Sequence, residues 1–456
     1  MELKPSRYNI VASQKSRDGS IIYNTRTGAL ALVDESIAVV LGMSALLEES
    51  DFARIDARAV AQLARSGLLV AAACDELAEV KAEHRALQQD SSALSLCIVP
   101  TYTCNLACPY CYEEGRSSSG KRMDRSMQKK IVDFARLAFE AEPYESIEVQ
   151  WYGGEPMLMP DAIDAISAGL MRFCEERSLG FSANMVSNAT RIGAEEAAML
   201  GRSRVTEALV TVDGPEAVHN GRRPMRNGGN SYEAVLNGIG NLLGEGIGVT
   251  VLMNTDKVND SCLSELNSQL QERFGMSAIR AKLNDYYGTF GRGRFCEPRF
   301  SLMDHREFSR LQCERFCEEG HAFAEFAALL QPIPLFCRGQ KERYYAIDAM
   351  GDVYKCDGRM GRADHLAFNL DSIGDATDIP TGLAPAYPFD DPACPECSLL
   401  PLCKGNCEWE RKQCADHPCH PLKYTANEYL YGWVASIEPI EIDETGVVLL
   451  AEGRSL

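Results

Sequence analysis

The chain has 456 residues, 45% apolar and 24% charged, with a formal charge of -19 and 18 cysteines. That length suits more than one domain of ordinary globular composition, and the acidity counts against a nucleic-acid partner, which needs a basic face. There is no run of about 18 apolar residues and no signal-peptide core behind Met1, so the expectation is a cytoplasmic protein with no membrane contact, whose reduced thiols serve metal rather than disulfides.

Residues 1–90 read as a small separate module. Tyr8 to Ala12, Ile21 to Asn24 and Gly28 to Val33 have strand patterns, and Asp34 or Ser36 can cap the next helix. Asp56 to Ser66 predicts a second helix before the strand Leu68 to Val70. Strands with short helices in this order suggest a winged-helix-like α+β unit, with Glu76 to Gln89 as a charged helical linker; a packing extension of the neighbouring domain is the other reading.

From residue 91 to 284 strands and helices alternate. Strands are expected at Ser95–Val99, Ile147–Tyr152, Ala183–Ser187, Ala208–Val212, Gly248–Asn254 and Ile279–Leu283. Helices are expected at Met127–Ala141, Asp161–Arg177, Ala194–Gly201, Tyr232–Glu245 and Ser261–Phe274. Such alternation means a parallel sheet with helices outside it. Reacting groups in that architecture sit at the C-terminal ends of the strands, and the motifs of this chain fall there. After the first strand come Cys104, Cys108 and Cys111, with three and then two residues between them. Three soft thiolates can hold three irons of a cubane cluster and leave the fourth open for chemistry; a structural zinc site or unrelated thiols are the alternatives. After the second strand stands Gly153-Gly154-Glu155-Pro156, where two glycines permit close backbone approach and Glu155 can accept from an ammonium group. Ser187-Asn188 offers hydroxyl and amide groups to a ribose or carboxylate, or simply a helix cap. Asn254 is a lesser candidate for the same pocket.

Residues 285–336 form a bridge whose glycine-rich stretch Asp285–Arg294 carries Tyr286, Tyr287, Phe290, Arg292 and Arg294. It reads as a mobile loop or a channel lining. Asp304 to Phe326 reads as a helix, with Cys313 and Cys317 on one face as packing thiols. A second cysteine array occupies residues 337–435: Cys337, Cys356, Cys394, Cys397, Cys403, Cys407 and Cys419, the first two bracketing a hairpin at Gly351. Paired zinc sites using His417 or His420 are the rival reading of the array. Residues 436–456 are a tail.

The Cys-x3-Cys-x2-Cys triplet with Tyr110 before its last cysteine resembles the signature of radical SAM enzymes. Gly153 to Pro156 looks like their SAM-binding glycine motif, and the second array looks like a SPASM domain. The similarity is to maturases of ribosomally made peptides and to anaerobic sulfatase-maturating enzymes. It implies a partial (β/α)6 TIM barrel between the N-terminal module and a C-terminal SPASM domain. It also implies an oxidoreductase that cleaves S-adenosylmethionine to a 5′-deoxyadenosyl radical. Three 4Fe-4S clusters are implied. Cys104, Cys108 and Cys111 would hold the SAM-binding one. Cys337, Cys356 and Cys407 would hold the first auxiliary cluster, and Cys394, Cys397, Cys403 and Cys419 the second. Arg343 stands where some relatives place an eighth ligand, and Cys414 competes with Cys419. Gly153, Gly154, Glu155, Pro156, Ser187, Asn188 and Arg222 become SAM contacts, the last within the family-like segment Asp213-Gly214-Pro215, His219, Arg222-Arg223. Asp357, beside Cys356, becomes the catalytic base, or else a turn-forming residue before Gly358. The implied partners are a precursor peptide, its leader gripped by the N-terminal module through strand addition, and an electron donor such as flavodoxin or ferredoxin. The implied product is a thioether or carbon–carbon crosslink. Formylglycine formation, or an iron-sulfur carrier or zinc scaffold without catalysis, are the alternatives.

Overall fold

Residues 2–13, 19–43, 55–111, 113, 120–256, 258–275, 279–285, 310, 313–314, 330–384, 388–408, 419–420, 422–435 and 441–451 are described by a computed structural model. Two compact units emerge, one of Met1–Leu87, Met303–Phe336 and Ala386–Leu456, the other of Gln88–Leu302 and Cys337–Pro385.

The chain opens with β1 (Leu3–Pro5), β2 (Asn9–Ser13), β3 (Ser20–Asn24), β4 (Leu30–Val33), α1 (Glu35–Leu41), α2 (Ala57–Arg65), β5 (Leu69–Ala71) and α3 (Glu76–Gln88). Asp34 caps α1 by accepting from Ile37 N, while Ser36 donates to Asp34 instead of capping. Asp56 caps α2 through Arg58 N. The apolar strands β2, β3 and β4 pair as an antiparallel meander.

The second unit shows the expected alternation. Its strands are β6 (Ala93–Ile98), β7 (Ser146–Trp151), β8 (Gly180–Ser187), β9 (Val205–Thr211), β10 (Gly248–Thr255) and β11 (Ile279–Asp285). The intervening helices are α4 (Arg125–Ala141), α5 (Pro160–Arg177), α6 (Ala194–Arg202), α7 (Glu216–Arg222), α8 (Tyr232–Gly244) and α9 (Leu263–Phe274). The short α7 was not expected. All six strands pair in parallel with their sequence neighbours. Ile147, Val149 and Trp151 of β7 are buried in the core with Ile166 and Leu170 of α5, whereas Glu148, Gln150 and Tyr152 on the opposite face are half-buried. The sheet therefore turns a dry face to the helices and a partly wetted, polar face inward.

The sheet does not stop at β6. Three more strands, β12 (Tyr344–Ile347), β13 (Asp352–Tyr354) and β14 (Leu366–Asn369), extend it to nine, β12 parallel to β6 and the rest antiparallel. The hairpin bracketed by Cys337 and Cys356 thus shares the barrel sheet, whereas residues 337–435 were expected to form one domain. The open edge of β6 offers unpaired backbone groups that a strand must cover, and the edge of a sheet is not written in the pattern of its strands. A similar correction applies at the other end. After α10 (Leu400–Cys403) and α11 (Leu422–Ala435), the supposed tail supplies β15 (Val447–Ala451), which pairs antiparallel with β4. The N-terminal meander therefore shares a unit with the C-terminal segment, and Trp433 meets Tyr23 edge-on at 5.9 Å. Cys313 is buried in that core, as a packing thiol would be. Residues 286–309, 311–312 and 315–329 of the bridge, Tyr286 to Arg294 and Cys317 among them, lie outside the described residues, as do Cys414 and His417. Among the described residues no helix is long and apolar enough to cross a membrane.

Candidate active site

Beyond β6 the chain leaves the sheet at Val99 and doubles back as the cysteine loop. Two neighbours clamp it. On one side runs the segment after α7: Ala107 N donates to Pro224 O at 2.8 Å, Arg226 N to Asn105 O at 2.9 Å, and Leu106 bridges Met225 antiparallel. On the other side lies the glycine turn after β7. Gly154 N donates to Thr101 O at 3.2 Å and Glu155 N to Thr103 O at 3.0 Å. The glycines are required by this approach. A Cβ on Gly154 would stand 2.3 Å from Tyr102 O, and one on Gly153, whose φ is +113°, would stand 2.6 Å from Val99 Cγ1. Tyr102, in turn, donates to Asp348 in the β12–β13 turn at 3.1 Å.

The motif carboxylate, Glu155, is wholly buried. It accepts from Ser187 Oγ at 2.8 Å, Met157 N at 2.9 Å and Asn188 N at 2.7 Å. Burial raises its pKa above the ordinary carboxylate value, against those three bonds. Asn188 is fixed so that its amide nitrogen reaches Asn105 Oδ1 at 2.9 Å and Cys104 Sγ at 3.6 Å. Glu155, Ser187 and Asn188, expected as ligand contacts, thus spend these groups on one another and on the cysteine loop.

The aromatic before the third cysteine has a polar anchor. Tyr110 is buried and its hydroxyl donates to Asp213, while Arg223 Nη1 donates to that hydroxyl at 2.6 Å and Asn254 Nδ2 at 3.2 Å. Asp213 Oδ1 accepts from Asn254 N at 3.0 Å, and His219 Nδ1 accepts from Asp213 N at 3.2 Å. Burial first, then Arg223, drives His219 down to about 3, so the ring is neutral. Arg222, expected as a SAM contact, is paired with buried acids: Nη1 to Asp256 Oδ2 at 2.9 Å and Nε to Asp213 Oδ2 at 3.5 Å. Asn254, the lesser candidate for the adenosine pocket, reaches the Tyr110 hydroxyl with its side-chain amide. Asp256, and Asn259, which donates to Asp213 O at 2.9 Å, are not among the residues that the sequence singles out; nothing in the local pattern marks them.

The three thiols act on one another. Burial pushes Cys104 up to about 12, with Glu155 and then Cys108 adding to it; burial, Glu113, Cys108 and Cys104 do the same for Cys111. Cys108 is raised by burial and pulled back by Arg223. Among the described residues no three His, Cys, Asp or Glu side chains are set to share one metal ion. A cubane makes a different demand, since each thiolate binds its own iron. Three interacting thiols on one clamped loop fit that demand, and ligation would release their protons.

In the other unit, the Cys403 thiol is pushed up to about 12 by burial and then by Cys397, Cys394 and Cys419. Those four are the cysteines assigned above to one auxiliary cluster. Lys404, Gly405 and Asn406 take left-handed conformations between Cys403 and Cys407. His420, whose ring burial brings down to about 4, accepts from Leu422 N at 3.3 Å. In the barrel unit Cys337 lies against Gly339, whose position is pressed by Lys355 O, next to Cys356. Arg343 is paired with Glu142 at 2.7 Å. Asp357 starts the turn Asp357–Arg359 and accepts from Gly358 N at 2.8 Å; burial raises it, opposed by that bond and by Arg338.

Residues 98–269 match the model of the Radical SAM superfamily. Mycofactocin maturase MftC of Mycobacterium tuberculosis is 27% identical over 329 residues, 67% of this chain and 76% of that protein. A probable GTP 3′,8-cyclase of Archaeoglobus fulgidus is 33% identical over 145 residues, 32% of this chain, and the match spans only 43% of its length. The solved structure of anSMEcpe with bound AdoMet and Kp18Cys peptide shares the fold with a TM-score of 0.59 at 17% identity, covering 75% of this chain and 99% of that one. Residues 98–269 of this chain thus carry a domain of the radical SAM superfamily.

Proposed function

We propose that the chain cleaves S-adenosylmethionine reductively and uses the 5′-deoxyadenosyl radical to modify a ribosomally made peptide, closing a thioether or carbon–carbon crosslink. The observation that carries this reading is the cysteine loop itself: three interacting thiols at the C-terminal end of β6, clamped between the glycine turn and residues 224–226. Cys104, Cys108 and Cys111 would hold the cluster, and a cluster with SAM supplies the radical. The chain's own residues do the positioning. Gly153 and Gly154 let the loop settle, Glu155 sets Asn188 against Cys104, and Pro156 starts the turn Pro156–Leu158 that turns the chain toward α5. The half-buried inner face, with Glu148 and Gln150, gives a peptide a polar bed beside the site. Support for a peptide also comes from MftC, a maturase by name, and from the peptide held by anSMEcpe. The seven later cysteines would hold two auxiliary clusters able to take the electron left on the product. A flavodoxin or ferredoxin would supply the first electron, and the cytoplasm is the setting that suits thiolate-held iron.

Anaerobically reconstituted protein given dithionite and SAM should release 5′-deoxyadenosine, with iron near three cubanes per chain. Cys104→Ala should abolish the release; unchanged turnover would end this reading. Incubation with a cysteine-rich precursor peptide should lower its mass by two hydrogens. Asp357, half-buried beside Cys356, keeps formylglycine formation as the second reading, with this carboxylate as base. Asp357→Asn should then leave 5′-deoxyadenosine release in place and remove the peptide product. An aldehyde on the peptide would favour this reading over crosslinking.

A further inference from the structure

Arg223 is a buried cation beside the cysteine loop. It is 9% exposed, and among the described residues its one hydrogen bond to another side chain is Nη1 to the Tyr110 hydroxyl at 2.6 Å, while its buried Nε has no acceptor there. Its neighbour Arg222 is neutralised by Asp256 and Asp213. The next residue, Pro224, accepts from Ala107 N, beside Cys108, so the Arg223 backbone is tied to the loop it serves. Both Arg222 and Arg223 lie over the Tyr110 ring, at 5.4 and 6.0 Å from its centre. Tyr110 itself stands between Cys108 and Cys111, so the guanidinium that donates to its hydroxyl is anchored on the cysteine loop. Arg222 has both aspartates as partners, whereas Arg223 has the neutral Tyr110 hydroxyl.

Resting on the function proposed above, we propose that Arg223 is the counter-charge of the Cys104–Cys111 site, a positioning residue whose buried guanidinium, held on the Tyr110 hydroxyl, favours the reduced form of the cluster bound there. Reduction adds one electron to the cluster, delivered by dithionite or by the donor protein, and forms no bond. A fixed cation attracts that added charge far more strongly in a low-dielectric site than the same cation would in water, and net charge and hydrogen bonding at the sulfurs are known levers on cluster potential.

The test is a redox titration of the reconstituted full-length chain monitored by electron paramagnetic resonance, reading the signal that changes when SAM is added, with iron measured in parallel. Arg223→Gln should load as much iron as the parent but hold about tenfold less reduced cluster at a given potential, a fall of about 59 mV for one electron. Arg223→Lys should recover most of it. An unchanged midpoint in the glutamine variant, or a lysine variant shifted just as far, overturns the proposal. Should Arg223→Gln fail to load iron, Arg223→Lys decides. Loading with the parent midpoint supports a charge effect, and failure of both variants overturns it. A parent protein with no SAM-sensitive signal would overturn the proposed function itself, and the counter-charge with it.

Discussion

The glycine turn permits a sharp test of what the motif is for. In Gly154→Ala the new Cβ would sit 2.3 Å from Tyr102 O and 2.5 Å from Thr103 O. Both are backbone atoms and cannot rotate aside. Reaching ordinary contact needs a separation of more than about 1 Å between the two loops. That movement breaks Gly154 N to Thr101 O, now 3.2 Å, and Glu155 N to Thr103 O, now 3.0 Å. Overpacking costs about 1–3 kcal/mol and each backbone bond about 1 kcal/mol, so the variant should lose roughly 3–5 kcal/mol. Melting of the metal-free protein, monitored by circular dichroism, should fall by roughly 10 °C, taking about 2–4 °C per kcal/mol for a domain of this size. Iron uptake should fall as well, because Cys104 comes directly after Thr103. A variant that melts like the parent and loses only affinity for SAM would refute the packing account and return Gly154 to ligand contact alone.

Three further outcomes are expected. Arg222→Met leaves the buried Asp213 and Asp256 without their guanidinium and should cost about 3–5 kcal/mol in urea unfolding; a midpoint equal to the parent's would be the contrary result. Glu155→Ala strands Ser187 Oγ, Met157 N and Asn188 N, so a loss of at least about 2 kcal/mol should accompany poor iron loading, whereas full loading would show that Asn188 holds its place unaided. His219, held down to about 3 against an ordinary 6.5, keeps its full contribution above pH 6.5 and loses it as the pH falls toward 3, because the unfolded chain takes the proton first. The loss integrates to roughly 4–5 kcal/mol. His219→Asn offers Asp213 N an acceptor that does not titrate, and stability plotted against pH should flatten by up to one proton across that window; an unaltered slope would place the acid sensitivity elsewhere.

The barrel was legible because its strands and helices carry different periods. The expected helix at Asp161–Arg177 is observed as Pro160–Arg177, and Ile147–Tyr152 as Ser146–Trp151. Burial of every second residue in β7 explains why such a pattern survives in the sequence. The features that were not legible depend on long-range pairing. Nothing in Val447–Ala451 says that it closes a sheet begun at Asn9, and nothing in Tyr344–Ile347 says that it lies beside Ser95. The small unit at the start of the chain read as independent for the same reason: its fourth strand lies far away along the chain.

The site divides along a similar line. Cysteines announce themselves, since a buried thiol that must reach iron tolerates little substitution in chemistry. The groups that hold those thiols do not, because any acceptor of the right length would serve at Asp256 or Asn259, and only the fold selects them. The motif residues read as ligand contacts stand between these cases. Glu155 already has three donors at 2.7–2.9 Å, and a buried carboxylate so satisfied gains little from a fourth partner while losing much if one of the three is withdrawn. Its first task is therefore to fix Asn188 against Cys104. Any contact it makes with a ligand is made from a carboxylate that the protein has already oriented, which lowers the ordering cost of binding there.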